Sequence, residues 1–142
     1  MIKKVLGYSF IGGIILFGLM QLVPYGRAHE NPPLLAEPQW DSPATRDLAA
    51  RACFDCHSNE TVWPWYSNVA PVSWLVQNHT DEGREKLNFS EWGTRRYEVD
   101  ELGETVREGE MPPLTYLPTH PDARLTAAEK QQLIDGFNAT FR

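Results

Sequence analysis

Cysteine is scarce in this chain, with two thiols, Cys53 and Cys56, in 142 residues. That scarcity excludes a disulfide framework and leaves a structural zinc site short of its usual thiolates. Basic charge is also in short supply, at 13 Lys and Arg against 19 Asp and Glu. Setting aside residues 1–30, which hold Lys3, Lys4, Arg27 and Glu30, leaves 10 against 18 and a net charge of −8. So acidic a domain repels phosphates, which excludes nucleic acid and favours a protein partner with a basic docking face. No apolar alternation is long enough for a sheet, and no internal repeat or low-complexity tract is present. An all-α fold is therefore predicted.

Charge is missing altogether from Val5 to Val23. A helix over those 19 residues would be roughly 28 Å long, close to the ~30 Å hydrocarbon core of a bilayer. The run exceeds the ~7–15 apolar residues of a signal peptide, so residues 1–24 are expected to be an uncleaved anchor, with a cleaved signal as the alternative. Lys3 and Lys4 favour a cytoplasmic N-terminus, which puts the rest of the chain outside, in the periplasm of a bacterium. Residues 25–41 read as a proline-rich linker, because Pro32-Pro33 and Pro38 favour extended backbone. Residues 42–142 are left for one small domain.

What the chain does have is Cys53-Phe54-Asp55-Cys56-His57. C-x-x-C-H is the attachment signature of c-type haem: two thiols reach the two vinyl groups and the next imidazole binds the iron. A thioredoxin-like dithiol would need a βαβ setting, which is not found nearby. A plain disulfide, or two inert thiols, remains open.

The surrounding helices read clearly. Ser42 and Pro43 start one that runs to Ala52 and delivers Cys53. After Pro71 a second begins, with Val72, Leu75, Val76 and His79 on one apolar stripe and Gly83 ending or loosening it. Ser90 is predicted to cap a short helix, and Tyr97 to Glu108 to form another with Val99, Leu102 and Val106 inward. The last helix opens on a capping box, Thr126 with Glu129, and turns Leu133, Ile134, Phe137 and Phe141 inward. In Trp63-Pro64-Trp65-Tyr66 the proline breaks regular helix and lets aromatic rings line a wall. Trp40 is expected at the domain edge, with the headgroup boundary as the alternative.

Two residues compete to be the sixth iron ligand. Met111 is held in an extended loop by Pro112-Pro113, 54 positions after His57. His79 follows His57 by only 22 positions, a demanding span to the opposite haem face. Met111 is the expected ligand.

Together these features resemble a class I cytochrome c. More narrowly, the blocks Cys56–Thr61, Trp63–Ser67, Leu87–Trp92, Gly109–Pro112 and His120-Pro121 are similar to the small bacterial haem-binding domain family, over about residues 22–137. The resemblance implies one haem c on Cys53 and Cys56, with His57 as proximal ligand. Met111 matches the Met-Pro element of cytochromes c, and His79 matches a histidine seen in many family members. The expected role is one-electron transfer at the membrane, not enzymatic catalysis. A haem sensor or peroxidase-like site is the alternative, with only His79 and His120 as distal acid–base groups.

Overall fold

Ser42 starts the first helix outside the apolar N-terminus as its chemistry demands. Its hydroxyl accepts from the Thr45 N–H at 3.2 Å, and Pro43 fills a position that needs no donor. The computed structural model describes residues 2–141, and among these there are six α-helices and no strand. They are α1 (Ile2–Met20), α2 (Pro43–Ala52), α3 (Phe54–His57), α4 (Val72–Lys86), α5 (Leu102–Glu108) and α6 (Ala127–Thr140). Short 3-10 turns cover Trp65–Asn68 and Pro121–Ala123. The chain forms two compact units that interleave along the sequence.

The first unit takes the residues up to Glu30 and Trp63–His79. α1 has no buried residue and is long and apolar enough to cross a membrane. It starts and stops about three residues earlier than the uncharged run. The chain turns at Gln21, whose side-chain amide bonds both backbone groups of Ala70, at 2.9 and 3.0 Å. Arg27 in turn holds the Gln21 carbonyl at 2.8 Å. His29 stacks on Trp63 at 4.8 Å, and its Nε2 lies 2.9 Å from the Ser67 hydroxyl.

The second unit, Asn31–Val62 with Thr80 onward, holds the main core. Leu48, Ala49 and Ala52 of α2 and Phe54 of α3 meet Leu133, Ile134 and Phe137 of α6, together with Leu87, Phe89, Val106 and Leu125. Each large apolar side chain so buried contributes about 1.5–3 kcal/mol. Gly136 lets α6 lie directly on α2, since a Cβ there would stand 2.1 Å from Thr45 Oγ1. Trp40 packs at 5.2 Å on Phe89 and 6.3 Å on Phe54, at the edge of the core as expected. The capping box of α6 forms as predicted, at 3.2 and 2.7 Å.

Three expectations need correction. The helix predicted from Tyr97 begins only at Leu102. Glu98, Glu101 and Glu104 would stack like charges at i,i+3 spacing, and Tyr97 instead stacks on Trp92 at 5.8 Å. No helix follows Ser90, because its hydroxyl is engaged by the Asn59 N–H at 2.9 Å and its carbonyl by Leu35 and Ala36. Finally, α4 buries Ser73, Thr80 and Gly83, while Val72, Leu75 and His79 are exposed. Small residues allow close approach, and that contact outweighed the aliphatic stripe. Gly83 therefore lies inside α4 and does not end it.

Candidate functional site

The C-x-x-C-H motif occupies the turn from α2 into α3. The His57 and Cys56 N–H groups both return to the Cys53 carbonyl, at 2.9 and 3.1 Å. This single helical turn holds both cysteines beside the histidine, and both are free thiols. Burial, with Cys56 nearby, pushes the Cys53 thiol up to about 12. Burial, then the Asp55 charge, takes Cys56 to about 11 despite the opposing charge of Arg84. Both are protonated at neutral pH, unlike the activated thiolate of a disulfide oxidoreductase. Among the described residues, no three His, Cys, Asp or Glu side chains gather as a metal ion would require.

His57 is gripped from two directions by the segment that follows α4. Its Nδ1 bonds the Leu87 carbonyl at 3.1 Å, and its own carbonyl accepts the Phe89 N–H at 2.8 Å. With Nδ1 engaged, Nε2 is the nitrogen left for a metal. Burial lowers the His57 pKa, with the Leu87 and Gly83 carbonyls opposing, which favours the neutral ring and its free lone pair. This donor chemistry fits haem: two reduced thiols one turn apart, next to an imidazole with a fixed tautomer.

A buried polar lattice fastens that grip. Asn88 donates to Asn59 Oδ1 at 2.8 Å and accepts from the Ser90 N–H at 2.9 Å. Arg84 Nε donates to the Ser58 carbonyl at 2.8 Å, and its other arm reaches Thr61 Oγ1 at 3.0 Å. Gly83 brings α4 against the motif, where a Cβ would sit 2.4 Å from the Cys56 carbonyl oxygen. None of Leu87, Asn88, Gly83 or Asn59 carries a metal-binding signature. For Leu87, Asn88 and Asn59 the only signal in the sequence is membership of the blocks Cys56–Thr61 and Leu87–Trp92, which the geometry now explains as one bonded shelf.

Met111 is half-buried after the left-handed Gly109 that ends α5, and its N–H bonds the Thr105 carbonyl at 3.2 Å. The loop it opens returns to the motif through Tyr116, whose hydroxyl donates to Asp55 Oδ2 at 2.5 Å. His120 stacks on Tyr116 at 3.7 Å. The structure thus groups Cys53, Cys56 and His57 and ties the Met111 loop to them. His79 is exposed on α4. A shallow groove between the start of α2 and α6, lined by Ser42, Thr45 and Gln132 among others, contains none of these residues.

The model of the haem-binding domain family matches residues 15–139. No curated protein and no solved structure gave a match. With most of its length matched, and with a histidine clamp that suits a haem iron, the chain belongs to the haem-binding domain family.

Proposed function

We propose that this chain carries one haem c, attached through Cys53 and Cys56 and ligated by His57, and passes single electrons at the outer face of a membrane. The observation that carries the reading is the His57 clamp, since Nδ1 on the Leu87 carbonyl at 3.1 Å presents Nε2 to iron. Cys53 and Cys56 would hold the haem by each adding its thiol across one vinyl group: an S–H bond and a vinyl π bond would be exchanged for a C–S and a C–H bond, with no oxidant consumed. Once bound, the haem iron supplies the one-electron Fe(III)/Fe(II) couple. Phe54, buried against Phe89 and Trp40, gives the motif a rigid apolar backing.

Met111 is the proposed sixth ligand. Its loop is tethered to Asp55, between the two cysteines, whereas His79 lies on the helix after which the chain grips His57. A thioether favours Fe(II) relative to a second imidazole and so raises the potential. α1 is proposed to span the membrane with Lys3 and Lys4 on the cytoplasmic side, which makes the outer compartment the periplasm of a bacterium. The acidic surface favours a redox partner with a basic face.

Separate Met111→Ala and His79→Ala variants test the ligation. The oxidised wild type should show the weak long-wavelength sulfur-to-iron band, and Met111→Ala should abolish it. A low-spin Met111→Ala protein beside a high-spin His79→Ala protein would establish bis-histidine ligation instead. One observation favours a second reading, a sensor or peroxidase-like site: Asp55 gathers a phenol and an imidazole, Tyr116 and His120, next to the motif. Rapid and complete carbon monoxide binding to the ferrous protein at neutral pH would select it.

A further inference from the structure

We propose that Trp65, Val72 and Leu75 form a collar that lies in the headgroup zone of the membrane, beside the point where α1 leaves it. The inference rests on the reading of α1 as a membrane span. Three observations within the first unit carry it.

The exit of α1 is bonded to the collar instead of leading away from it. Gln21, the residue after α1, pairs with both backbone groups of Ala70 at 2.9 and 3.0 Å. A Cβ on Gly26 would meet the Ser73 carbonyl oxygen at 2.2 Å, so the chain leaving α1 runs directly along the start of α4. His29 then holds the Ser67 hydroxyl at 2.9 Å and stacks on Trp63. Trp65, Val72 and Leu75 are therefore only a few residues of rigid turn away from the last turn of α1.

The collar is apolar where it is exposed. Trp65 is 79% exposed and Leu75 56%, and Leu22, two residues past α1 in the same unit, is 77% exposed. Isolated apolar residues on a surface need no explanation, but a group continuous with a membrane-spanning helix does. Tryptophan in particular concentrates at the bilayer interface, where its ring is buried and its N–H stays wet.

Charge is also absent from the collar. No Asp, Glu, Lys or Arg occurs between Trp63 and His79, a span in which the chain's 23% average would put about four. A loop facing water has no reason to exclude charge so completely. One entering the headgroup zone does, because each charge carried there must be desolvated.

The test uses the full-length protein in vesicles of phosphatidylethanolamine and phosphatidylglycerol. A photo-crosslinking benzoylphenylalanine is introduced singly in place of Trp65, Leu75, Ile14 or Gln131, and adducts are identified by mass. All four positions are exposed, so the fold should tolerate each change. Phospholipid adducts are expected at positions 14, 65 and 75, and none at 131 on α6. Lipid adducts at 14, with only protein adducts or none at 65 and 75, would overturn the collar and leave the anchor standing. The absence of lipid adducts at 14 would overturn the membrane reading of α1 and the collar with it.

Discussion

Replacing Gly83 by alanine sets two effects of opposite sign against each other. Helix propensity alone favours the change, because alanine in a helix interior is better than glycine by ~1 kcal/mol. Packing opposes it. The new Cβ would stand 2.4 Å from the Cys56 carbonyl oxygen and 2.9 Å from the carbonyl carbon, where ordinary contact begins near 3.4 Å. The obstacle is backbone, so α4 and the haem motif must separate by about 1 Å. Overpacking of this kind costs about 1–3 kcal/mol. The separation also strains the bonds from Arg84 Nε to the Ser58 carbonyl and from His57 Nδ1 to the Leu87 carbonyl, each worth about 1 kcal/mol. The balance is a net loss of about 1–3 kcal/mol, or a fall in Tm of ~4–12 °C for a domain of this size. Thermal unfolding of the full-length protein in detergent, followed by far-ultraviolet circular dichroism, measures it. Gly103→Ala is the internal control. There a Cβ meets only side-chain atoms, Ile134 Cγ2 at 3.3 Å and Asn138 Oδ1 at 3.5 Å, which can yield where backbone cannot, so propensity should prevail and Tm should hold or rise. A Gly83→Ala protein that gains stability as the control does would refute the close approach of α4 to Cys56.

Two other perturbations probe the frame around the site. Asn88→Ala removes a fully buried amide from the lattice and leaves Asn59 Oδ1 and the Ser90 N–H without their partner. A loss of about 1–3 kcal/mol is expected in urea unfolding, and a neutral result would mean that the lattice does not hold His57. The capping box of α6 predicts a pH dependence. The Thr126 N–H, then Arg51, hold the Glu129 carboxyl down at about 2, against 4.5 for an unperturbed group. A depressed folded pKa gives stability that is present above pH 4.5 and lost as pH falls towards 2. Glu129→Gln should flatten that part of the stability–pH curve, and a curve parallel to wild type would show that the carboxylate is not engaged. Thr126→Ala should cost about 1 kcal/mol at neutral pH.

Legibility in the sequence followed the range of the interactions. α2 and α6 could be read because their caps and inward faces are local: Ser42 with Pro43, Thr126 with Glu129, and Leu133, Ile134 and Phe137 at helical spacing. The C-x-x-C-H turn is local for the same reason. α4 was misread because its hydrophobic period is genuine but outward-facing. The buried side was chosen by Ser73, Thr80 and Gly83, whose smallness matters only once a distant segment approaches. The start of α5 failed on a similar point, where like charges and the Tyr97–Trp92 stack outweighed the apolar spacing. The second half of the site, the shelf from Leu87 to Ser90, acts on His57 largely through backbone groups. Backbone carbonyls have no residue signature, so this part had to come from the fold.

The central claim is that Cys53 and Cys56 hold a haem covalently, with His57 on its iron. Intact-mass spectrometry under denaturing conditions tests it most directly, on full-length protein co-expressed with the cytochrome c maturation proteins. The account predicts a mass gain of one haem that survives denaturation and acid-acetone extraction. Cys53→Ala with Cys56→Ala should abolish that gain. A polypeptide of unmodified mass, with haem released into the solvent, would contradict the account.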